Sequence, residues 1–450
     1  MKIKNGITFF VMMMLLNIII IPEQTYADNT QCLSPQSNTT KEGIVLSGTL
    51  AEGIIETVID GVKVYIIRGT DNLGNPVEVK TTPFGGQAFS WTHNGKALLH
   101  EPPKVSEITK NIFAGGMPVA AGFSNRVPKN ADGKAVISWN DGQKVRDVEV
   151  QVRHPWGPGA PFAIHGSTWF ETWDVIKTGY LEEYGAQGIT YELDSRLEKY
   201  ADVRKELFSD LIFRLTYYLD ANGLLCSVFE CENAGKEEAP VQITWHPWLN
   251  LPGNREDWEL WLPFNSVWAV DGNKYPTGER LPINADTVNG FMQKTNIHGR
   301  DYAVIQLGKN EFDHFFTDAN KSLDGSVMIG LFNPKLGIHF WVTQEQLSDF
   351  VFYSDLKTPN FFFACMEPAN GPANAINLHG TIPSVPVDVV KPGKAIRKGI
   401  AFGYVGMSKI YTATTSPAQQ ALDRTLSIID GAPAARSGLQ TGTDTTITAA

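Results

Sequence analysis

Cysteine is scarce in this chain of 450 residues, with only Cys32, Cys226, Cys231 and Cys365. No CxxC or HExxH spacing occurs and the nine His residues are scattered, so the sequence offers no structural zinc site. Cys226 and Cys231 fall in one expected strand, an odd number of residues apart. Their side chains should point to opposite faces and cannot easily bridge. One long-range disulfide is still open to the chain in an oxidising compartment. Basic blocks are also missing, and a formal net charge of −10 argues against nucleic acid as a partner. Helical periodicity is weak throughout, and no repeat has the length of a solenoid or propeller unit. Past the N-terminus no apolar run approaches the ~20 residues needed to cross a bilayer.

What is present begins with a three-part leader. Lys2 and Lys4 precede an apolar stretch from Ile7 to Ile21, and "TYA" ending at Ala27 supplies a small-residue cleavage site. No Cys follows closely enough for a lipid anchor. Residues 1–27 are therefore expected to be a signal peptide, giving an exported, periplasmic or secreted protein with no stable membrane insertion after cleavage. Residues 28–42 are polar. From residue 411 the Thr/Ala/Gly-rich tail has too little apolar material to fold alone and is expected to be disordered to residue 450. Between them, residues 43–410 contain no linker.

That middle is strand and turn. "VKVYIIRG", "RDVEVQVR", "GITYELDSRLEKY" and "PVQITWH" are short, β-branched and aromatic, and partly alternating. "LIFRLTYYLDANGLLCSVFEC" reads as a hairpin turning at Asn222-Gly223, and "PKVSEITKNIF" holds a helical turn or two. The expectation is all-β: one large antiparallel domain that binds ligands on a concave sheet face.

Five stretches place polar groups in apolar or aromatic company. They are "GFSNRVP" with Arg126, "PFAIHGSTWFETW" with His165, "ITWHPWLNLPG" with His246, "NEFDHFFTD" with Asp313 and His314, and "FACMEPANGP" with Glu367. Singly, each fits a surface ion pair, a core histidine, a turn residue or a solvated strand end. Together they contain what a sugar site requires. Aromatic faces, here Trp169 and Trp248, stack on a pyranose, while Arg, His and Asp satisfy its hydroxyls. His exchanges a proton near neutral pH, and a pocket Glu is the natural base. In this reading the strand of "FFFACM" ends by presenting Glu367 to the pocket, and "PANGP" turns the chain away.

"NRV", "IHG", "HPWLNL", "FDHFF" and "MEPANGPANAIN" also occur in the order found in aldose 1-epimerases, or galactose mutarotases. "FGGQAFSW" and "NKYPTGERLP" are further landmarks, and the chain resembles that family over roughly residues 55 to 410. The resemblance implies a β-supersandwich of stacked antiparallel sheets. It implies Glu367 as the base for the C1 hydroxyl and His246 as the acid for the ring oxygen. Arg126, His165 and Asp313 would orient a monosaccharide, and no metal or organic cofactor is needed. Gly166-Ser167 and Trp248-Leu249 replace the Gly-Gly and Tyr-Phe of many members, which bears on which aldose is used. Three other functions fit parts of this pattern. A hexose-6-phosphate 1-epimerase needs converging cations, a non-catalytic carbohydrate-binding protein does not need both Glu367 and His246, and a glycoside hydrolase needs two flanking carboxylates.

If residues 1–27 are a leader, N-terminal sequencing of exported protein should begin near Asp28. Intact Met1 on cytosolic material would count against export.

Overall fold

Alternation with a period of two decides which side chains of each strand reach the core. In the strand Phe363–Ala369, Ala364 and Met366 join the main apolar core, so Cys365 and Glu367 face the other way. The computed structural model describes residues 53–406, except 143, 153–158, 298, 323–324 and 358–362. The expected leader, polar segment and tail lie outside the described residues, as does Cys32.

The architecture is the expected stack of antiparallel sheets. A ten-stranded sheet runs in spatial order Asp174–Leu181, Ala186–Asp194, Leu211–Leu219, Leu225–Asn233, Ala395–Gly406, Ile338–Glu345, Val327–Asn333, Glu259–Leu262, Arg300–Gln306 and Phe291–Ile297. A nine-stranded sheet has Pro276–Pro282, Phe264–Val270, Phe312–Ala319, Asp349–Ser354, Phe363–Ala369, Ala239–Trp245 and Asp388–Val390 along its path. Trp248–Asn250 also pairs with Phe363–Ala369, and Val119–Gly122 with Ala239–Trp245. Alternate residues of the two sheets, such as Phe213, Leu215, Phe229 and Phe340 against Ile243, Phe316, Phe352 and Met366, meet in one buried cluster. A five-stranded sheet over Gly53–Ala97 adds Ile67, Val79 and Trp91 to the same core. Among the described residues no helix is long and apolar enough to cross a membrane.

Local signals in the sequence have local causes in the structure. Leu211–Leu219 and Leu225–Asn233 form a hairpin whose turn has Gly223 at φ +74, a backbone conformation that a side chain would strain. Asp220 accepts the N–H groups of Asn222 and Leu224 at 2.9 and 2.8 Å, which closes that turn. "PKVSEITKNIF" supplies two single turns, Val105–Glu107 and Ile112–Ala114. Cys231 packs in the main core and Cys226 in a separate cluster, and among the described residues neither they nor Cys365 form a disulfide.

One expectation is corrected. The strand does not stop at Glu367 but continues through Pro368 to Ala369. On one side its partner changes from Trp248–Asn250, opposite Phe363 to Cys365, to Ala239–Trp245, opposite Ala369. That switch leaves a gap in the ladder where a residue lacking an N–H is tolerated.

Asp349, across from Ala369, is fully buried and takes a 2.6 Å bond from Trp268 Nε1, but its Oδ2 has no partner among the described residues. Burial raises its carboxyl to about 6, against the opposing pull of the Trp268 hydrogen bond and the nearby hydroxyls of Ser348 and Thr317. A folded value above the unfolded one means stability is fully present below about pH 4 and falls as pH rises to about 6, by roughly 3 kcal/mol. Asp349→Asn keeps an acceptor for Trp268 and removes the ionisation. Calorimetry should show a higher Tm than wild type at neutral pH and little difference near pH 4. Equal melting at both pH values would show that Asp349 carries no such penalty.

Candidate active site

The site is built on a single row across four strands. Asp313 lies opposite Tyr353, Tyr353 opposite Cys365, and Cys365 opposite Trp248. Residues in register share a face, so these four side chains stand on the face turned away from the main core. Glu367 follows two positions after Cys365 on that face. His246, just beyond the strand Ala239–Trp245, has its backbone N–H fixed by Pro118 O at 2.9 Å, and its ring stacks on Trp248 at 5.5 Å. Trp245, one residue earlier, points into the core.

The result is a contact between two buried titratable groups. His246 Nε2 lies 3.2 Å from Glu367 Oε1, with the residues 6% and 1% exposed. The other atoms of the pair, His246 Nδ1 and Glu367 Oε2, have no hydrogen-bond partner among the described residues. Burial drives both groups toward their neutral forms. It lowers the imidazole to about 4, and it pushes the carboxyl well above the usual carboxylate range, helped by Asp313 and opposed by Arg126. The pair therefore holds one proton across a wide pH interval, and it titrates as a unit.

The opposite wall comes from a ribbon in which Arg126–Pro128 pairs with Phe162–Ile164. Arg126 reaches Asp313 with Nη2 to Oδ2 at 2.8 Å and Nη1 to Oδ1 at 3.4 Å, a forked pair joining ribbon to sheet. Beside it, Asn125 and His165 hold φ +57 and +60, values costly for residues with a Cβ. Reciprocal bonds lock them: His165 N–H donates to Asn125 O, and Asn125 N–H donates to His165 Nδ1, both at 3.0 Å. With Nδ1 accepting, Nε2 is the donor of that ring. The imidazole stacks on Trp169 at 4.2 Å and 12°.

Together these elements enclose a pocket of about 330 Å³, a size suited to a small ligand. Arg126, His165, His246 and Trp248 line it. Asp313 and Glu367 stand immediately behind, against Arg126 and His246. Trp169 does not line the pocket. It is 1% exposed and supports His165 from behind, so its expected contact with ligand is corrected to a packing position. His314, next to Asp313, turns to the core side between Phe312 and Phe316. Sequence reasoning missed Phe113, Asn125, Tyr353 and Asp355 among the lining residues. Tyr353 Oη donates to Asp355 Oδ2 at 3.0 Å, adding a carboxylate to the wall. The alternation of "DFVFYS", with Phe350 and Phe352 in the core, was the available signal for Tyr353.

Residues 71–403 match the family described as aldose 1-epimerase. Among solved structures, the fold is similar to that of a galactose mutarotase-like protein from Clostridium acetobutylicum. The two are 17% identical, the match covers 79% of this chain and 98% of that one, and the TM-score is 0.62. A galactose 1-epimerase from Lactobacillus acidophilus aligns over 80% of this chain and all of its own, with 14% identity and a TM-score of 0.58. An aldose epimerase homologue from C. elegans gives 15%, 80%, 100% and 0.56 for the same quantities. At these identities the likeness is one of fold. No curated protein matches the sequence.

Because burial lowers His246 to about 4, its ring should remain neutral through the pH range where an exposed histidine titrates. NMR of the imidazole should show protonation only as pH falls toward about 4. An ordinary transition near 6.5 would mean that water reaches the ring and that the pair is not dry.

Proposed function

Because the chain belongs to the aldose 1-epimerase family, we propose that it interconverts the α and β anomers of a free aldose by acid–base ring opening. The observation that carries this reading is the His246–Glu367 contact: two proton carriers 3.2 Å apart, sharing one proton beside a sugar-sized pocket. In the reactive form the proton is on His246 and Glu367 is ionised. Glu367 takes the proton of the C1 hydroxyl, His246 gives its proton to the ring oxygen, and the C1–O5 bond breaks to leave a free aldehyde. The pair is then neutral on both sides, the state that burial favours. Rotation about C1–C2 presents the other carbonyl face. Glu367 returns its proton to the carbonyl oxygen as His246 removes one from the C5 hydroxyl, and the ring closes with the starting pair restored.

Binding groups surround that pair. Arg126, held by Asp313, and the Nε2 side of His165 offer donors to hydroxyls, while Trp248 and Phe113 supply apolar faces for the sugar ring. Among the described residues the wall carries one cation, Arg126, already paired to Asp313, and a further acidic residue, Asp355. That balance disfavours a phosphosugar and supports a neutral aldose. The leader-like residues 1–27 support an exported enzyme.

Polarimetry of freshly dissolved α-glucose and α-galactose is the direct test. Wild type should accelerate mutarotation, and Glu367→Gln, which cannot accept the anomeric proton, should lower the catalysed rate by roughly 10²–10⁴-fold while still binding sugar. A wild type inactive on every common aldose but able to bind one would leave a sugar-binding protein on this fold. Full activity in Glu367→Gln would remove Glu367 as the base.

A further inference from the structure

Cys365 takes no part in the proposed chemistry, yet it stands in the middle of the row that builds the site. One ligand atom each from His246, Cys365 and Glu367 lie within 4.8 Å of one another, and all three residues are buried. We propose that these three side chains form a latent site for a thiophilic divalent cation, Zn²⁺ above all, and that its occupancy shuts the pocket.

Distances, charge and access each support this. Zinc binds nitrogen and oxygen at about 2.0–2.1 Å in tetrahedral sites, so two such ligands stand about 3.3 Å apart. His246 Nε2 and Glu367 Oε1 are already 3.2 Å apart, an edge of such a tetrahedron. Cys365 supplies the third corner, which leaves the fourth for a ligand from outside the chain, as in zinc sites that keep an exchangeable position. Thiolate with imidazole selects zinc-like ions over magnesium or calcium, which take oxygen ligands. Two acids and one neutral base make a set of charge −2 once a dication has displaced their protons. The complex is then neutral overall, which suits a dry site. Access is through the sugar pocket: Trp248 and Tyr353, directly across from Cys365 on either side, both line it.

A second observation points to a ligand here. Glu367 Oε2, the second oxygen of the carboxylate that would hold the ion, is buried without a hydrogen-bond partner among the described residues, so that carboxylate has coordinating capacity that the protein does not use. A metal drawing on Glu367 and His246 removes both groups to which the epimerase reading assigns proton transfer. Inhibition of turnover therefore rests on that reading, whereas metal binding does not.

Binding is tested first, with Co²⁺ as the probe and the full chain kept reduced. Wild type should develop a thiolate-to-cobalt charge-transfer absorption that saturates at one ion per chain and is bleached by Zn²⁺. Cys365→Ala should lose that absorption and bind metal at least about tenfold more weakly. Cys365→Ser, closer in size, serves the same comparison should the alanine variant fail to fold. In polarimetry Zn²⁺ should inhibit wild type competitively with sugar, reversibly on adding a chelator, and inhibit the Cys365 variants at least about tenfold less. An absent charge-transfer absorption in wild type, or equal metal affinity in wild type and variants, overturns the site. Should no aldose be turned over, the cobalt titration still decides the matter, so the two readings fail separately.

Discussion

A carboxyl and an imidazole buried in contact must settle one proton between them, and the site is arranged around that constraint. Neither Glu367 nor His246 can ionise alone at low cost in so dry a place. Their combined charge is zero whether the proton rests on oxygen or on nitrogen. Moving it across 3.2 Å changes the dipole of the site without changing its net charge. A reaction that takes a proton from one sugar oxygen and gives another to a second oxygen matches that economy of charge. The flanking rings of Trp248 and Phe113 keep the surroundings apolar enough for the arrangement to hold.

The second wall depends on geometry more than on strength. Arg126 and Asp313 are partly open to solvent, so their ion pair contributes modestly to stability. Its forked form fixes the plane of the guanidinium relative to the sheet, however, and so the distance between ribbon and row. The strained backbone at Asn125 and His165 works to the same end. Two residues held at positive φ by each other's hydrogen bonds have few other conformations to adopt, and the ring of His165 is stacked in place by Trp169.

Much of this was legible in the sequence, and the limits have physical causes. Strands showed as β-branched and aromatic runs, and the hairpin at Asn222-Gly223 showed because positive φ selects Gly. Arg126, His165, His246, Asp313 and Glu367 stood out because polar groups in aromatic company are rare, and the structure gathers all five around one pocket. Trp169 lies one layer behind its expected place: proximity to His165 in the chain does not tell which side of a short turn faces the ligand. Tyr353 and Asp355 do not stand out, because an aromatic before a turn acid looks like core and loop. Their place is set by the pairing of Tyr353 with Asp313 and Cys365, which is long-range register and leaves no local trace. The strand boundary after Glu367 is hidden for a related reason, since Pro368 marks a change of partner strand and not an end.

The order of the ten-stranded sheet bears on how the chain comes to be folded. Ala395–Gly406, late in the sequence, lies between Leu225–Asn233 and Ile338–Glu345 and is hydrogen-bonded to both. Until it is made, the strands before it form two half-sheets, each with a raw edge where that strand will pair. Synthesis from the ribosome thus cannot close the sandwich domain by domain, because the keystone arrives late. Contacts of such long sequence separation make slow folding the expectation, with a partly built, adhesive intermediate that a chaperone has time to engage.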